Sequence, residues 1–114
     1  MREPFVTPTE GEYLAALGVS PFEPQELGVS EILLRSAGGS EMRLSTDVLG
    51  RSVRLRAGQV GRESVDMFRE GAVHLHLNAE EPRITIDFRT ADTTGRIEVR
   101  LSPYLQVKET SLLT

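Results

Sequence analysis

The chain contains no cysteine and no tryptophan, and only 5% of its 114 residues are aromatic. Without cysteine it cannot form a disulfide framework, a thiolate nucleophile or a zinc ribbon. No stretch approaches the roughly eighteen consecutive apolar residues of a membrane helix, and the N-terminal segment lacks the apolar run of a signal peptide. We therefore expect a cytoplasmic protein without a membrane partner.

Lysine is almost absent as well, since Lys108 is the single lysine beside twelve arginines. Such a bias is typical of GC-rich bacterial genomes, so an arginine is not by itself evidence of a ligand. The formal net charge is −4 and the isoelectric point is about 5.2. Because neutralisation of phosphate charge dominates nucleic-acid binding, this acidic balance argues against a nucleic acid as the partner.

The most regular stretch runs from residue 71 to residue 90. Apolar and polar residues alternate strictly in its two halves, residues 73–77 and 84–88, which an Asn-Ala-Glu-Glu-Pro turn separates. Period-2 alternation predicts two antiparallel strands with one buried face and one polar face. Both histidines of the chain, His74 and His76, lie on the polar face.

The alternation recurs along most of the chain from residue 28 onwards and predicts about seven strands. Residues 1–27 differ, because they carry an excess of glutamate, a predicted helix at about residues 9–17 and a proline-rich linker. We therefore divide the chain into an acidic N-terminal segment, residues 1–27, and an antiparallel β domain, residues 28–114. Residues 58–71 break the alternation and fit either one or two helical turns or a further strand.

The predicted strands each have one apolar face, and a single short helix cannot cover a flat sheet of them. Two sheets packed face to face, or one strongly curled sheet closing on itself, bury these faces better. We therefore predict a mainly β protein, built as a small antiparallel β-sandwich or partly closed barrel of about seven strands with one short N-terminal helix.

Two histidines and a glutamate, His74, His76 and Glu80, have the spacing HxHxxxE. Alternate residues of a strand share a face about 6.5–7 Å apart, so two imidazoles there can converge on one metal. The motif resembles the first metal-binding motif of the cupin family, and this resemblance implies a divalent transition metal on these three residues inside a β-barrel. The other interpretation is a pair of solvent-facing histidines before an acidic turn, with no cofactor.

Arginines dominate the positions predicted to face outward. The candidate partner-binding residues are Arg43, Arg54, Arg56, Arg89 and Arg100. If their strands share one sheet, they form a basic surface whose planar guanidinium groups suit the carboxylate or phosphate of a partner. The alternative is pairing with neighbouring acids such as Asp87 or Glu98, which serves solubility alone.

The sequence contains no G-x-S-x-G elbow, phosphate-binding loop or pair of carboxylates on one element, so it does not predict an enzyme. We predict a non-catalytic protein-interaction or regulatory module that binds a protein partner or a second copy of itself. A regulatory adaptor, a toxin-neutralising partner and an assembly subunit all fit this prediction. The alternative is a small metal- or ligand-binding β-barrel that uses His74, His76 and Glu80.

Overall fold

The computed structural model describes residues 3–22, 26–36, 38–59, 61–101 and 105–113. These residues form one helix and eight strands, arranged in two four-stranded antiparallel sheets. The prediction of a mainly β protein with one short helix is confirmed, and the architecture is a sandwich, not a closed barrel. The eighth strand lies in residues 58–71, which fitted either helical turns or a strand from the sequence alone. Most of this stretch is strand.

The elements follow one another with short connections. They are α1 (Glu10–Leu17), β1 (Val29–Arg35), β2 (Ser40–Asp47), β3 (Ser52–Gln59), β4 (Arg62–Glu70), β5 (Ala72–Asn78), β6 (Arg83–Arg89), β7 (Thr93–Arg100) and β8 (Gln106–Leu113). The first sheet has the order β1-β2-β3-β4 and the second has the order β5-β6-β7-β8. Each sheet is therefore a meander in which every strand pairs with its neighbour in sequence.

The helix α1 begins and ends where the sequence predicts. The Thr9 side chain accepts a hydrogen bond from the Glu12 backbone N–H (3.2 Å), and the Glu12 carboxylate accepts one from the Thr9 N–H (2.9 Å). This reciprocal capping box satisfies two backbone donors, and Gly18 closes the helix with a φ of 71°. In the described part of the chain, no helix is long and apolar enough to cross a membrane.

The hydrophobic core lies between the inner faces of the two sheets. Its largest fully buried side chains are Met42, Leu44, Val53, Leu55, Leu75, Ile84, Ile86, Ile97 and Val99. Phe5 and Tyr13 from the N-terminal segment are buried in the same cluster, and burial raises the pKa of Tyr13 to about 12. Each large apolar side chain contributes about 1.5–3 kcal/mol when buried, so this packing is the main driving force of folding.

The chain passes from the first sheet to the second through the single residue Gly71. The backbone N–H groups of Gly71 and Ala72 both donate to the Arg51 carbonyl oxygen at 2.9 Å. The φ of Gly71 is 84°, and a Cβ there would lie 3.0 Å from the Arg89 carbonyl oxygen. Only glycine fits this corner without strain, because other residues rarely adopt such a φ.

The N-terminal segment covers one edge of each sheet. Val6 forms two backbone hydrogen bonds with β5, to Val73 and from Leu75, each 3.0 Å long. Phe22 forms two with Glu31 of β1, at 3.0 and 3.1 Å. Because unpaired edges invite unwanted strand pairing, these contacts protect the two strands.

The strands β4 and β8 are also joined across the sandwich, by an ion pair. Arg69 of β4 donates from Nε and Nη2 to the Glu109 carboxylate of β8 at 2.6 and 2.9 Å. Two parallel hydrogen bonds of this kind fix the relative orientation of both groups. The pair therefore ties the two sheets together beside the hydrophobic core.

The β3–β4 ladder contains an irregularity between Ala57 and Gly58. A Cβ at Gly58 would lie 2.8 Å from the Ser64 backbone nitrogen and closer still to the Arg62 carbonyl oxygen. Both contacts are with backbone atoms, which cannot rotate away as a side chain does. The close approach of the two strands therefore requires glycine here.

Replacing Gly58 with alanine should push β4 away from β3 and lower the free energy of unfolding by about 1–3 kcal/mol, the usual cost of overpacking. Urea unfolding followed by circular dichroism measures this loss. Gly11→Ala is the matched control, because the nearest atom to its new Cβ is 4.0 Å away. The control should be neutral or stabilising by about 0.5–1 kcal/mol. Equal midpoints for Gly58→Ala and the wild type would contradict the structural account of the irregularity.

Candidate functional site

The candidate arginines are divided between the two outer faces of the sandwich. Arg43, Arg54 and Arg56 lie on β2 and β3 of the first sheet. Arg89 and Arg100 lie on β6 and β7 of the second sheet. The condition that all five share one sheet is not met, and the two outer faces have to be considered separately.

On the first outer face the arginines lie beside acids. Arg54 donates to Asp66 from Nε at 3.1 Å and from Nη2 at 2.9 Å. Its hydrogen bond and its charge hold the pKa of the Asp66 carboxyl below the usual value. Arg56 lies between Arg43 on β2 and Asp66 on β4 in the ladder, and Arg43 Nη1 lies 3.5 Å from Glu31 Oε1. This face is therefore mixed in charge, and its cations have acidic neighbours in the same chain.

One aromatic side chain stands out on the first outer face. Phe68 of β4 lies directly opposite Arg54 and is 54% exposed. Aromatic residues and arginines are enriched at protein interfaces compared with the rest of the surface. The first outer face therefore has a composition that suits a partner, although its charges are already balanced.

The second outer face is predominantly basic. The strand registers place its side chains in three rows across β5 to β8: His74-Asp87-Arg96-Thr110, His76-Thr85-Glu98-Lys108 and Asn78-Arg83-Arg100-Gln106. With Arg89 added, the described face holds five cationic side chains (Arg83, Arg89, Arg96, Arg100 and Lys108) against two acidic ones (Asp87 and Glu98). An acidic protein thus has one locally basic surface.

One end of the second outer face is neutralised within the chain. Asp87 accepts a hydrogen bond from Arg96 Nε at 2.8 Å and lies 3.1 Å from His76 Nε2. Burial alone raises the pKa of Asp87, but the hydrogen bonds and charges of Arg96 and His76 outweigh burial and hold it below the usual value. Glu3 of the N-terminal segment forms an ion pair with Arg89 at the same end.

The structure brings the two histidines of the HxHxxxE motif together but does not add Glu80. The ring centroids of His74 and His76 are 3.7 Å apart. Glu80 lies in the β5–β6 turn, where its backbone N–H donates to Asn78 Oδ1 at 3.0 Å. The carboxylate that reaches His76 belongs to Asp87. Within the ranges given above, no group of three or more histidine, cysteine or acidic side chains is placed to hold a metal ion.

Sequence reasoning missed three members of the second outer face: Arg83, Arg96 and Lys108. Each lies an even number of positions along its strand from a residue that the alternation predicts to face outward. Arg83 precedes Asp87 by four positions and Arg96 precedes Arg100 by four positions. Since alternate residues of a strand share a face, the period alone was sufficient to place them.

The ion pairs of Asp87 predict a dependence of stability on pH. Because the pKa of folded Asp87 lies below the unfolded value of about 3.9, the ionised carboxylate stabilises the fold above about pH 4. This contribution is lost as the pH falls through the folded-state value. Asp87→Asn should therefore lower the free energy of unfolding at pH 7 by up to about 1 kcal/mol, and the difference from the wild type should shrink below about pH 4.

Urea unfolding of the wild type and of Asp87→Asn at several pH values measures this difference. Asp92→Asn is the matched control, since Asp92 is an exposed acid of the β6–β7 turn. The control should follow the wild type at every pH. A loss in Asp87→Asn that is the same at about pH 2.5 as at neutral pH would contradict the assignment, because protonation removes the charge of Asp87.

Comparison with known proteins shows a likeness of fold. The sequence matches no protein-family model and no curated protein. Among solved structures, the chain is similar to a chain of a contact-dependent growth inhibition toxin–immunity protein complex from Klebsiella pneumoniae 342. The TM-score is 0.80 at 16% sequence identity, and the match covers 96% of this chain and 99% of the other. The two chains therefore share a fold over almost their whole lengths.

Proposed function

We propose that this chain is a non-catalytic protein-binding module that neutralises a protein toxin inside a bacterial cell by forming a complex with it. The observation that carries the proposal is the likeness to a chain of a toxin–immunity protein complex over 96% of this chain. The match spans both chains almost completely, so the likeness is of the whole fold and not of one part of it. This likeness supports a protein toxin as the partner of the module predicted from the sequence.

The accessible surface of the sandwich supports this proposal. A stable protein interface buries about 800 Å² on each partner. The accessible surface of the chain is 7321 Å², so an interface of that size takes roughly a tenth of it. Each outer face is formed by four strands and lies on the side of its sheet away from the core. An interface of this size therefore takes a small part of the surface, and no rearrangement of the core is needed.

Complex formation is enough to explain neutralisation in this proposal. A bound protein of this size covers the reactive surface of a toxin and keeps its substrate away. The binding module then needs a rigid, complementary surface and no reactive group of its own. A sheet provides such a surface, because its inner strands are hydrogen-bonded to a neighbour on each side and present their side chains from fixed backbone positions.

The proposal predicts that the chain restores growth to cells that produce its cognate toxin. In the experiment the chain is co-expressed, in a bacterial host, with each toxin domain encoded in its own genome. We expect one domain to be toxic alone and harmless with the chain, and to co-elute with it in size-exclusion chromatography. Restored growth requires a dissociation constant well below the intracellular concentration of the pair.

Gly58→Ala provides a control for folding in the same assay. A destabilised variant should protect less because less of it is folded, and its loss should be partly reversed at lower temperature. If none of the toxin domains is neutralised and the chain elutes at its own mass beside each of them, the proposal is wrong. If the chain protects without a complex, it does not act by binding.

A further inference from the structure

Two arginines of the second outer face lie directly opposite each other. Arg83 of β6 and Arg100 of β7 are paired in the ladder, which places their Cβ atoms about 4.5–5.5 Å apart. Like charges in this position repel each other and destabilise a sheet. Among the described residues neither arginine forms an ion pair, and Arg83 Nε is buried without a hydrogen-bond partner. The fold therefore contains a charge arrangement that it does not itself stabilise.

The surroundings of this pair are suited to an anion. Asn78 and Gln106 occupy the positions on either side of Arg83 and Arg100 in the same row. Side-chain amides can donate hydrogen bonds as well as accept them. Lys108 follows in the next row on β8 and adds a third positive charge. Guanidinium groups bind carboxylates through two parallel hydrogen bonds, so adjacent arginines offer a strong site for acidic side chains.

The chain itself shows that this face accepts a carboxylate. Glu3, which is remote in sequence, forms an ion pair with Arg89 at the opposite end of the second outer face. Arg96 similarly binds Asp87. Arg83, Arg100 and Lys108 differ in that, within the described ranges, no acid of the chain forms an ion pair with them, although Glu98 lies opposite Lys108 in the ladder. Their positive charge is thus available to the acid of a partner.

We infer that Arg83, Arg100 and Lys108 form the docking site for a protein partner that presents a segment rich in aspartate or glutamate. This inference rests on the proposed function and adds the surface and the chemistry of the contact. We call these three residues the basic cluster. The complementary charges accelerate association and select the partner, and their effect falls as salt screens them.

A short acidic segment fits the basic cluster better than a nucleic acid does. The net charge of the chain is −4, so a long phosphate backbone is repelled by most of its surface. The neighbouring rows also contain Glu98 and Asp87, which interrupt the positive charge along the face. A peptide segment that places its acids only at the basic cluster avoids both sources of repulsion.

The test uses a fluorescent hexaglutamate peptide as the probe, with a hexathymidine oligonucleotide as the competing class of anion. Binding is measured by fluorescence anisotropy at low salt, and the site is mapped by backbone amide NMR shifts. We expect the peptide to shift the amides around Arg83 and Arg100 on β6 and β7. The double variant Arg83→Glu/Arg100→Glu should bind it at least about tenfold more weakly, because two charge-assisted hydrogen-bonding groups become repulsive.

The double variant Arg54→Glu/Arg56→Glu is the matched control, since it makes the same charge change on the first outer face. Its dissociation constant for the peptide should lie within about twofold of the wild-type value, a margin that allows for the change in net charge. Arg100→Gln separates binding from folding, because it removes the repulsion with Arg83. It should weaken peptide binding while leaving the unfolding midpoint unchanged or raised.

The outcomes separate this inference from the proposed function. Peptide shifts confined to the first outer face, or equal loss in both double variants, would overturn the basic cluster as the docking site. Tighter binding of the oligonucleotide than of the peptide would show a nucleic-acid surface and overturn it as well. Peptide binding at the basic cluster without neutralisation of any toxin domain would retain the cluster and reject the toxin partner.

Discussion

The structure depends on one constraint: each strand has a single apolar face, so neither sheet is stable by itself. Stacking the two inner faces buries side chains such as Leu44, Leu55 and Ile86 and leaves both outer faces polar. The chain changes sheets at Gly71, whose backbone conformation is open to glycine and strained for other residues. The same constraint that builds the core thus produces two outer faces, and these are surfaces available for a partner.

Most of the fold was predictable because its determinants are local. Alternation of apolar and polar residues placed the strands, and Thr9 and Gly18 placed the helix. For the strand β4 the sequence did not decide between helix and strand. It is an edge strand, in which Asp66 and Phe68 are both exposed and the inward apolar residues are only half-buried. The irregularity at Gly58 depends on the close approach of β4, which no local pattern reveals.

The candidate site was less predictable, because alternation tells which residues share a face of a strand but not which strands share a sheet. Arg54 and Arg100 are both outward, yet they lie on opposite outer faces of the sandwich. In the same way, the carboxylate beside His76 comes from Asp87 on the next strand and not from the nearby Glu80. The balance of charge on each face depends on which strands pair with one another. Only the strand registers therefore show that the second outer face is the basic one.

The central claim is that a protein partner docks on the second outer face while the first remains in solvent. Cross-saturation NMR of the complex between the deuterated chain and the toxin domain that we propose as its partner measures this most directly, since only amides near the partner lose intensity. We expect the losses on β6, β7 and β8, centred on Arg83 and Arg100. Losses confined to β1 to β4 would contradict the claim and place the partner on the face that carries Phe68.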